Sequence, residues 1–370
     1  MNITDDVLGQ APYTRLLPLG YMVPTFYPTP SGTVQARSGA PQVTLQDPDL
    51  QARAQRLLNV LYWTADACKD QQGMDDASTL KVFIAPEFYF RKASADEVSG
   101  GGFSRSTSFG AYPERARQEL AEALYGAIHD SPLFKDWVIV AGTLCSALPF
   151  DLSGRMNLLN TAIMLRGQRA QPDASVPYIF MEKHYISNID GPDGRDHANL
   201  DPTTTYSFRL NPDQHLDNLV YWDGMSVGLE VCLDHSEQVV ANAMNLLRQT
   251  LGPRAASLEL QLVTSCGMSI VQQAVAVADG ALVMLVDGYS HVDSGLREPI
   301  FQMGRHDAAT GSTHAVPATS FQLKALPDGA DYRVTYAGGL YTGRQGVWTS
   351  TQPLALNATK TQATSAAVSP

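Results

Sequence analysis

Residues 227–237 read VGLEVCLDHSE. The run from Val227 to Val231 is apolar but for Glu230 and of strand length, and the polar group after it precedes a helical pattern with Val239, Met244 and Leu247 on one face. A strand passing straight into a helix is the building unit of an α/β fold. Cys232 sits at the joint. A thiol at a helix N-terminus has its thiolate favoured by the dipole, and the next backbone N–H, that of Leu233, can point at an oxyanion. Taken alone, the segment fits a small, inert core cysteine equally well.

Outward from this joint the same alternation continues. RLLPLGYM from Arg15, LKVFIAP from Leu80, WVIVAGT from Trp137, NTAIML from Asn160, LELQLVTS from Leu258 and ALVMLVD from Ala281 are short apolar runs bounded by turn residues. Several are continuously apolar, which suits strands covered on both faces. Asp47-Pro48 predicts a helix start, because Leu50, Ala54, Leu57, Leu58, Leu61, Ala65 and Cys68 then share one face. A second helix is expected near Pro113, with Leu120, Leu124 and Ile128 inward. Two long polar stretches, 91–114 and 187–207, have the character of lids or binding loops, and Gly100 to Gly102 would give the first a hinge. No Pro/Gly/Ser-rich linker divides the chain, so residues 12–345 are expected as one domain and 346–370 as a polar C-terminal tail or interface arm.

Composition narrows the function classes. The 370 residues are 44% hydrophobic and 17% charged, as in a well-packed globule. Twenty-six Lys and Arg against 37 Asp and Glu leave a net charge of −11, which opposes broad contact with nucleic acid or an anionic membrane. The four cysteines, at 68, 145, 232 and 266, form no C-x-x-C pair and lie in apolar sequence, as reduced thiols do. The beginning of the chain has no basic stretch followed by an apolar core, and no segment has the length to span a bilayer, so a cytoplasmic location is expected.

Two further strand ends carry chemistry. KVFIAPEFYF places Glu87 after a buried run among aromatics, where desolvation raises a carboxyl's proton affinity and suits it to acid–base work. YIFMEKHYI places Lys183 at the end of another apolar run, where an ammonium needs a carboxylate or a developing negative charge. His184 lies in no metal-ligand spacing and is read as structural. Each segment taken singly also fits an ordinary loop residue.

Together, P-E, then E-K-H, then G-x-x-x-C-x-D, each ending an apolar strand, resemble the nitrilase or carbon–nitrogen hydrolase superfamily. VIVAGTL from Val138, NLLNTAIML from Asn157 and QLVTSCGM from Gln261 are similar to the surrounding segments, over roughly Leu80 to Gly288. The resemblance implies a four-layer αββα sandwich, a Glu87, Lys183, Cys232 triad and the Leu233 N–H as oxyanion donor. It also implies a second acid after the lysine, for which Asp190 stands nearest and Asp193 and Asp196 compete. The aromatic and proline that the family commonly carries after its cysteine are replaced here by Leu233 and His235-Ser236.

The implied activity is cleavage of a non-peptide C–N bond of a small amide or carbamoyl compound through a cysteine thioester. The Asp in CLD favours that substrate class over a nitrile. Phe88, Tyr89 and His235 are expected along the pocket, and Arg195 at a substrate carboxylate. The chemistry calls for no metal or organic cofactor, and a homodimer or larger homo-oligomer is implied. Nitrile hydrolysis, acyl transfer to an amine, and a non-catalytic binding role on the same fold stay open.

Overall fold

A computed structural model describes residues 12–25, 32–92, 111–149, 156–168, 178–185, 187, 190, 206–208, 215–288, 300–334 and 344–357. The first sheet begins with β1 (Arg15–Met22), helix α1 (Pro48–Cys68) and β2 (Thr79–Ile84), with β1 and β2 parallel. A short β3 (Tyr112–Pro113) and helix α2 (Ala116–Ile128) precede β4 (Trp137–Pro149). β4 runs parallel to β2 and antiparallel to β5 (Met156–Arg166), on which β6 (Tyr178–Glu182) and β7 (Tyr206–Phe208) both pair.

The second sheet holds β8 (Leu219–Trp222), β9 (Met225–Val231), β10 (Leu258–Ser265), β11 (Val277–Asp287), β12 (Ile300–Asp307) and β13 (Ser312–Ala315). These lie in sequential order across the sheet, with β9, β10 and β11 parallel. Helices α3 (Leu233–Ser236) and α4 (Val239–Leu251) connect β9 to β10. The chain then returns to the first sheet as β14 (Phe321–Ala325), β15 (Gly346–Ser350) and β16 (Leu354–Ala355).

Apolar residues assemble these sheets into the expected α/β, four-layer αββα sandwich. Leu57, Leu61, Leu120 and Leu124 of α1 and α2 pack with Phe83 and Ile139 on the outer face of the first sheet. Leu16, Val82, Val140, Leu229, Leu262 and Met284 meet between the two sheets. Val240, Met244 and Leu247 of α4 cover Leu258 and Ala281 on the outer face of the second. The Asp47-Pro48 start of α1 is as expected: Pro48 needs no N–H partner, and Asp47 Oδ1 accepts from the N–H groups of Asp49 at 3.0 Å and Leu50 at 3.1 Å.

Residues 346–357 correct the expected boundary. β15 lies between β14 and β1, so Thr349 and Ser350 read as tail by composition but are buried in the sheet with Val347. Residues 358–370 lie outside the described residues, as do most of the stretches 91–114 and 187–207. No helix among the described residues is long and apolar enough to cross a membrane.

Candidate active site

The site forms where the ends of β2 and β6, from one sheet, meet the end of β9 from the other. Hydrogen bonds join the sheets at this place: Thr264 Oγ1 donates to the Ala85 carbonyl at 2.9 Å, and the Glu87 N–H donates to the Ser265 carbonyl at 3.3 Å. Phe88, at φ +63°, turns the chain sharply after Glu87, and its N–H is held by Thr143 Oγ1 at 2.8 Å. Gly142 supports the same turn from β4. At φ +85° it has no room for a side chain, since a Cβ there would stand 2.5 Å from the Pro86 carbonyl oxygen.

Lys183 is the first residue beyond β6, with its N–H on the Asn160 carbonyl at 2.9 Å. Its ammonium donates to Glu87 Oε1 at 2.9 Å and to Asp190 Oδ2 at 2.7 Å, and reaches Ser187 Oγ at 3.5 Å. The Asn160 side-chain amide bridges the two acids, 2.8 Å from Glu87 Oε1 and 3.0 Å from Asp190 Oδ1. Glu87 Oε1 is thus doubly held. Oε2 is buried and among the described residues meets no partner at full hydrogen-bond geometry, and the Cys232 thiol stands beside this carboxylate.

Cys232 occupies a backbone conformation that non-glycine residues avoid, φ +48° and ψ −109°. Such a geometry costs on the order of 1–3 kcal/mol and persists only where neighbours impose it. The Cys232 N–H is held by the Thr264 carbonyl and its C=O by the His235 N–H, both at 2.9 Å. Leu233 follows as the first residue of α3, and its N–H is therefore one that the helix leaves without an intrahelical acceptor. Asp234 ties this turn to the lysine segment, since its carboxylate accepts from the N–H groups of His184 at 3.0 Å and Tyr185 at 2.8 Å.

Charge balance in the closed site follows from burial and these partners. Burial pushes the Glu87 carboxyl up to about 7, against the lowering pull of Lys183. Burial opposes the Lys183 ammonium, yet the Asp190 and Glu87 carboxylates outweigh it and hold the amine well above its ordinary value. Asp190 is pushed up by burial but ends below the usual carboxylate range, because Lys183 and the Ser187 N–H and hydroxyl favour its charged form. Burial also raises Asp234, to about 8.

The Cys232 thiol departs from the sequence reading. Burial and the neighbouring Glu87 carboxylate raise it well above its ordinary value, so the short helix α3 does not make a resting thiolate. Burial likewise raises Cys68 to about 11 and Cys145 to about 12, and raises Cys266 well above its ordinary value.

Glu87, Lys183, Cys232 and Asp190 are therefore brought together, and Phe88 stands beside them with its ring centroid 5.8 Å from Lys183 Nζ. Two expectations are corrected. Tyr89 packs against Tyr21 and Phe90 in the core beneath α1, because beyond the turn at Phe88 both Tyr89 and Phe90 enter the outer-face core of the first sheet. His235 is fully buried with both ring nitrogens engaged, Nδ1 by Glu230 at 2.6 Å and Nε2 by the Val271 N–H at 3.0 Å, so its ring neither lines a pocket nor acts as a base for Cys232. Arg195, Asp193 and Asp196 lie outside the described residues. His184 bonds the Asn218 side chain at 2.7 Å, in keeping with a structural part.

The sequence assigns no site role to Asn160 or Thr143, and takes Asp234 as a mark of substrate class, whereas its carboxylate is occupied by the His184 and Tyr185 N–H groups. The available signal was polarity inside or directly beside apolar strands, since a buried amide, hydroxyl or carboxylate must find partners.

No protein-family model and no curated protein matches the chain. Among solved structures it is similar to an amidase from Nesterenkonia sp., at 11% identity and a TM-score of 0.40, over 96% of this chain and 95% of that one. It is similar to the glutamine-dependent NAD+ synthetase from Acinetobacter baumannii, at 11% identity and a TM-score of 0.41, over 82% of this chain. The match spans about half of the synthetase, 48% of its length. A CN-hydrolase superfamily protein from Xanthomonas campestris, with an arsenic adduct in its active site, is similar at 14% identity and a TM-score of 0.35, over 82% of this chain and 86% of that one. The sandwich and the site distances are properties of this chain and stand independently of those likenesses.

Proposed function

We propose that the protein is a thiol-dependent carbon–nitrogen hydrolase of the nitrilase superfamily, acting on a small amide or carbamoyl compound. One observation carries this reading: a cysteine, a carboxylate with proton affinity near neutrality and a doubly paired lysine converge, buried, from three separate strand ends. Titratable groups gathered in one buried place with opposed shifts in proton affinity support an active site.

The chemistry follows from the residues. Glu87 Oε2 takes the Cys232 proton as the sulfur attacks the substrate carbonyl carbon. Lys183 has one N–H engaged only weakly by Ser187, and with the Leu233 N–H it stabilises the developing oxyanion. Glu87 then passes the proton to the leaving nitrogen, and the C–N bond breaks to leave a thioester on Cys232. Water, deprotonated by the same carboxylate, releases the acid. Asp190 and Asn160 hold Lys183 and Glu87 Oε1, which leaves Oε2 for proton transfer.

The test compares wild type with Cys232→Ala on a panel of amides, carbamoyl compounds and nitriles, reading ammonia release and intact protein mass. Ammonia from wild type alone, with an acyl adduct on Cys232, is the expected outcome. Ammonia from a folded Cys232→Ala protein at the wild-type rate would end the assignment.

A further inference from the structure

Along β9, Val227, Leu229 and Val231 face the core between the sheets. Gly228 faces the opposite way, toward Val240 of α4, and Glu230 does the same, accepting the Val240 N–H at 2.9 Å. Side chains alternate along a strand, so a straight continuation would point Cys232 outward with Glu230, away from Glu87. Cys232 instead packs with the residues between the sheets. Its positive φ is what turns it back.

The residues flanking that turn are bound to each other. Glu230, two positions before Cys232, and His235, three after, are both fully buried and meet at 2.6 Å. Because the Val271 N–H donates to Nε2, the ring proton lies on Nδ1 and is donated to Glu230. Gln261 of β10 also donates to Glu230 at 2.8 Å, and its own oxygen accepts the Ala276 N–H at 2.9 Å. The Glu230 carboxylate therefore receives three donors, from β10, α3 and α4. A buried charge so satisfied is rigid. None of its partners is Glu87, Lys183 or Asp190, and the network lies on the reverse side of the sheet from them.

We infer that Glu230 and His235 are positioning residues, whose hydrogen bond across the turn holds Cys232 in the strained conformation that aims its thiol between the sheets at Glu87. The inference rests on the proposed role of Cys232 as nucleophile, and its test does not require the substrate. Removing the bond lets the turn relax toward ordinary strand geometry, and the sulfur swings from its base.

The measurement is the rate of Cys232 alkylation by iodoacetamide against pH, followed by peptide mass, in wild type and variants shown to be folded by near-ultraviolet circular dichroism. In wild type the rate rises through pH about 7, where Glu87 ionises. In E230L/H235F, which replaces the pair by apolar groups and strands no charge, the rate at pH 7 is expected to fall ~100-fold. Its rise should no longer follow Glu87 and should move to higher pH, where the buried thiol ionises without a base beside it. H235N keeps a donor at the Nδ1 position and should stay within about threefold of wild type, whereas H235Q keeps only the group facing Val271 and should behave as the double variant does. Wild-type alkylation profiles in a folded E230L/H235F, or equal profiles in folded H235N and H235Q, would overturn the inference. Failure of wild type to hydrolyse any amide would count against the proposed activity alone, since the alkylation comparison reads the turn directly.

Discussion

Glu87 meets two opposing demands. Burial raises its proton affinity, and Lys183 beside it keeps the carboxylate accessible, so that ionisation falls at about 7. On the proposed mechanism only the ionised form accepts the Cys232 proton, so kcat/KM is expected to rise with pH and level off above 7. Asp190 contributes to that position, because its negative charge raises Glu87 and competes for Lys183. Asp190→Asn removes the repulsion and leaves the lysine's charge to Glu87, and both changes lower the Glu87 value. The inflection should therefore move below 7, read from a pH–rate profile. An inflection moved upward or unmoved would show that Asp190 does not face Glu87 as described.

At the scale of elements, the site is built from strand ends fastened to one another rather than from a single loop. The turn after β2 is supported by Gly142 of β4, where positive φ and the Pro86 carbonyl leave no space for a methyl group. Gly142→Ala should cost more than about 1 kcal/mol and also lower turnover, because the displaced backbone carries Glu87. Asp47 offers the contrast. It caps α1 and pairs through its other oxygen with Lys92, with no bond to Glu87, Lys183 or Cys232, so Asp47→Ala should lower stability by about 1 kcal/mol or more while kcat is unchanged. Denaturant titration together with turnover separates the two cases. Equal effects of the variants on kcat would deny the link between the β4 glycine and the site.

The whole molecule depends on its late strands. β15 fills the place between β14 and β1, with Val347, Thr349 and Ser350 buried, and β16 pairs Arg15 and Leu16, so β1 has its second edge covered only when residues 346–355 are present. A chain ended at residue 345 is expected to lose near-ultraviolet circular dichroism and soluble yield, since it would expose the edge of a central strand and open the inter-sheet core. A soluble, native-like truncated protein would show that the sheet closes without β15.

The α/β class, the Asp47-Pro48 helix start, the main parallel strands and the three polar residues at strand ends are legible in the amino-acid order alone. Those features are local: apolar periodicity, capping chemistry and a charge directly after a buried run act over a few residues. The late strands β12 to β15 were not legible, because β12 to β14 are partly exposed and β15, though buried, carries Gly, Thr and Ser, so none gives a continuous apolar signal, and β15 read as tail. Tertiary structure alone decided which side chains meet. A residue's face follows from strand parity, and at Cys232 a strained turn reverses it. The packing of β10, α3 and α4 against Glu230 and His235 decides that reversal, and its contacts to Gln261 and Val271 are distant in sequence. For the same reason Asn160 and Asp234 acquired partners, while Tyr89 and His235 turned away from the place their sequence neighbours share.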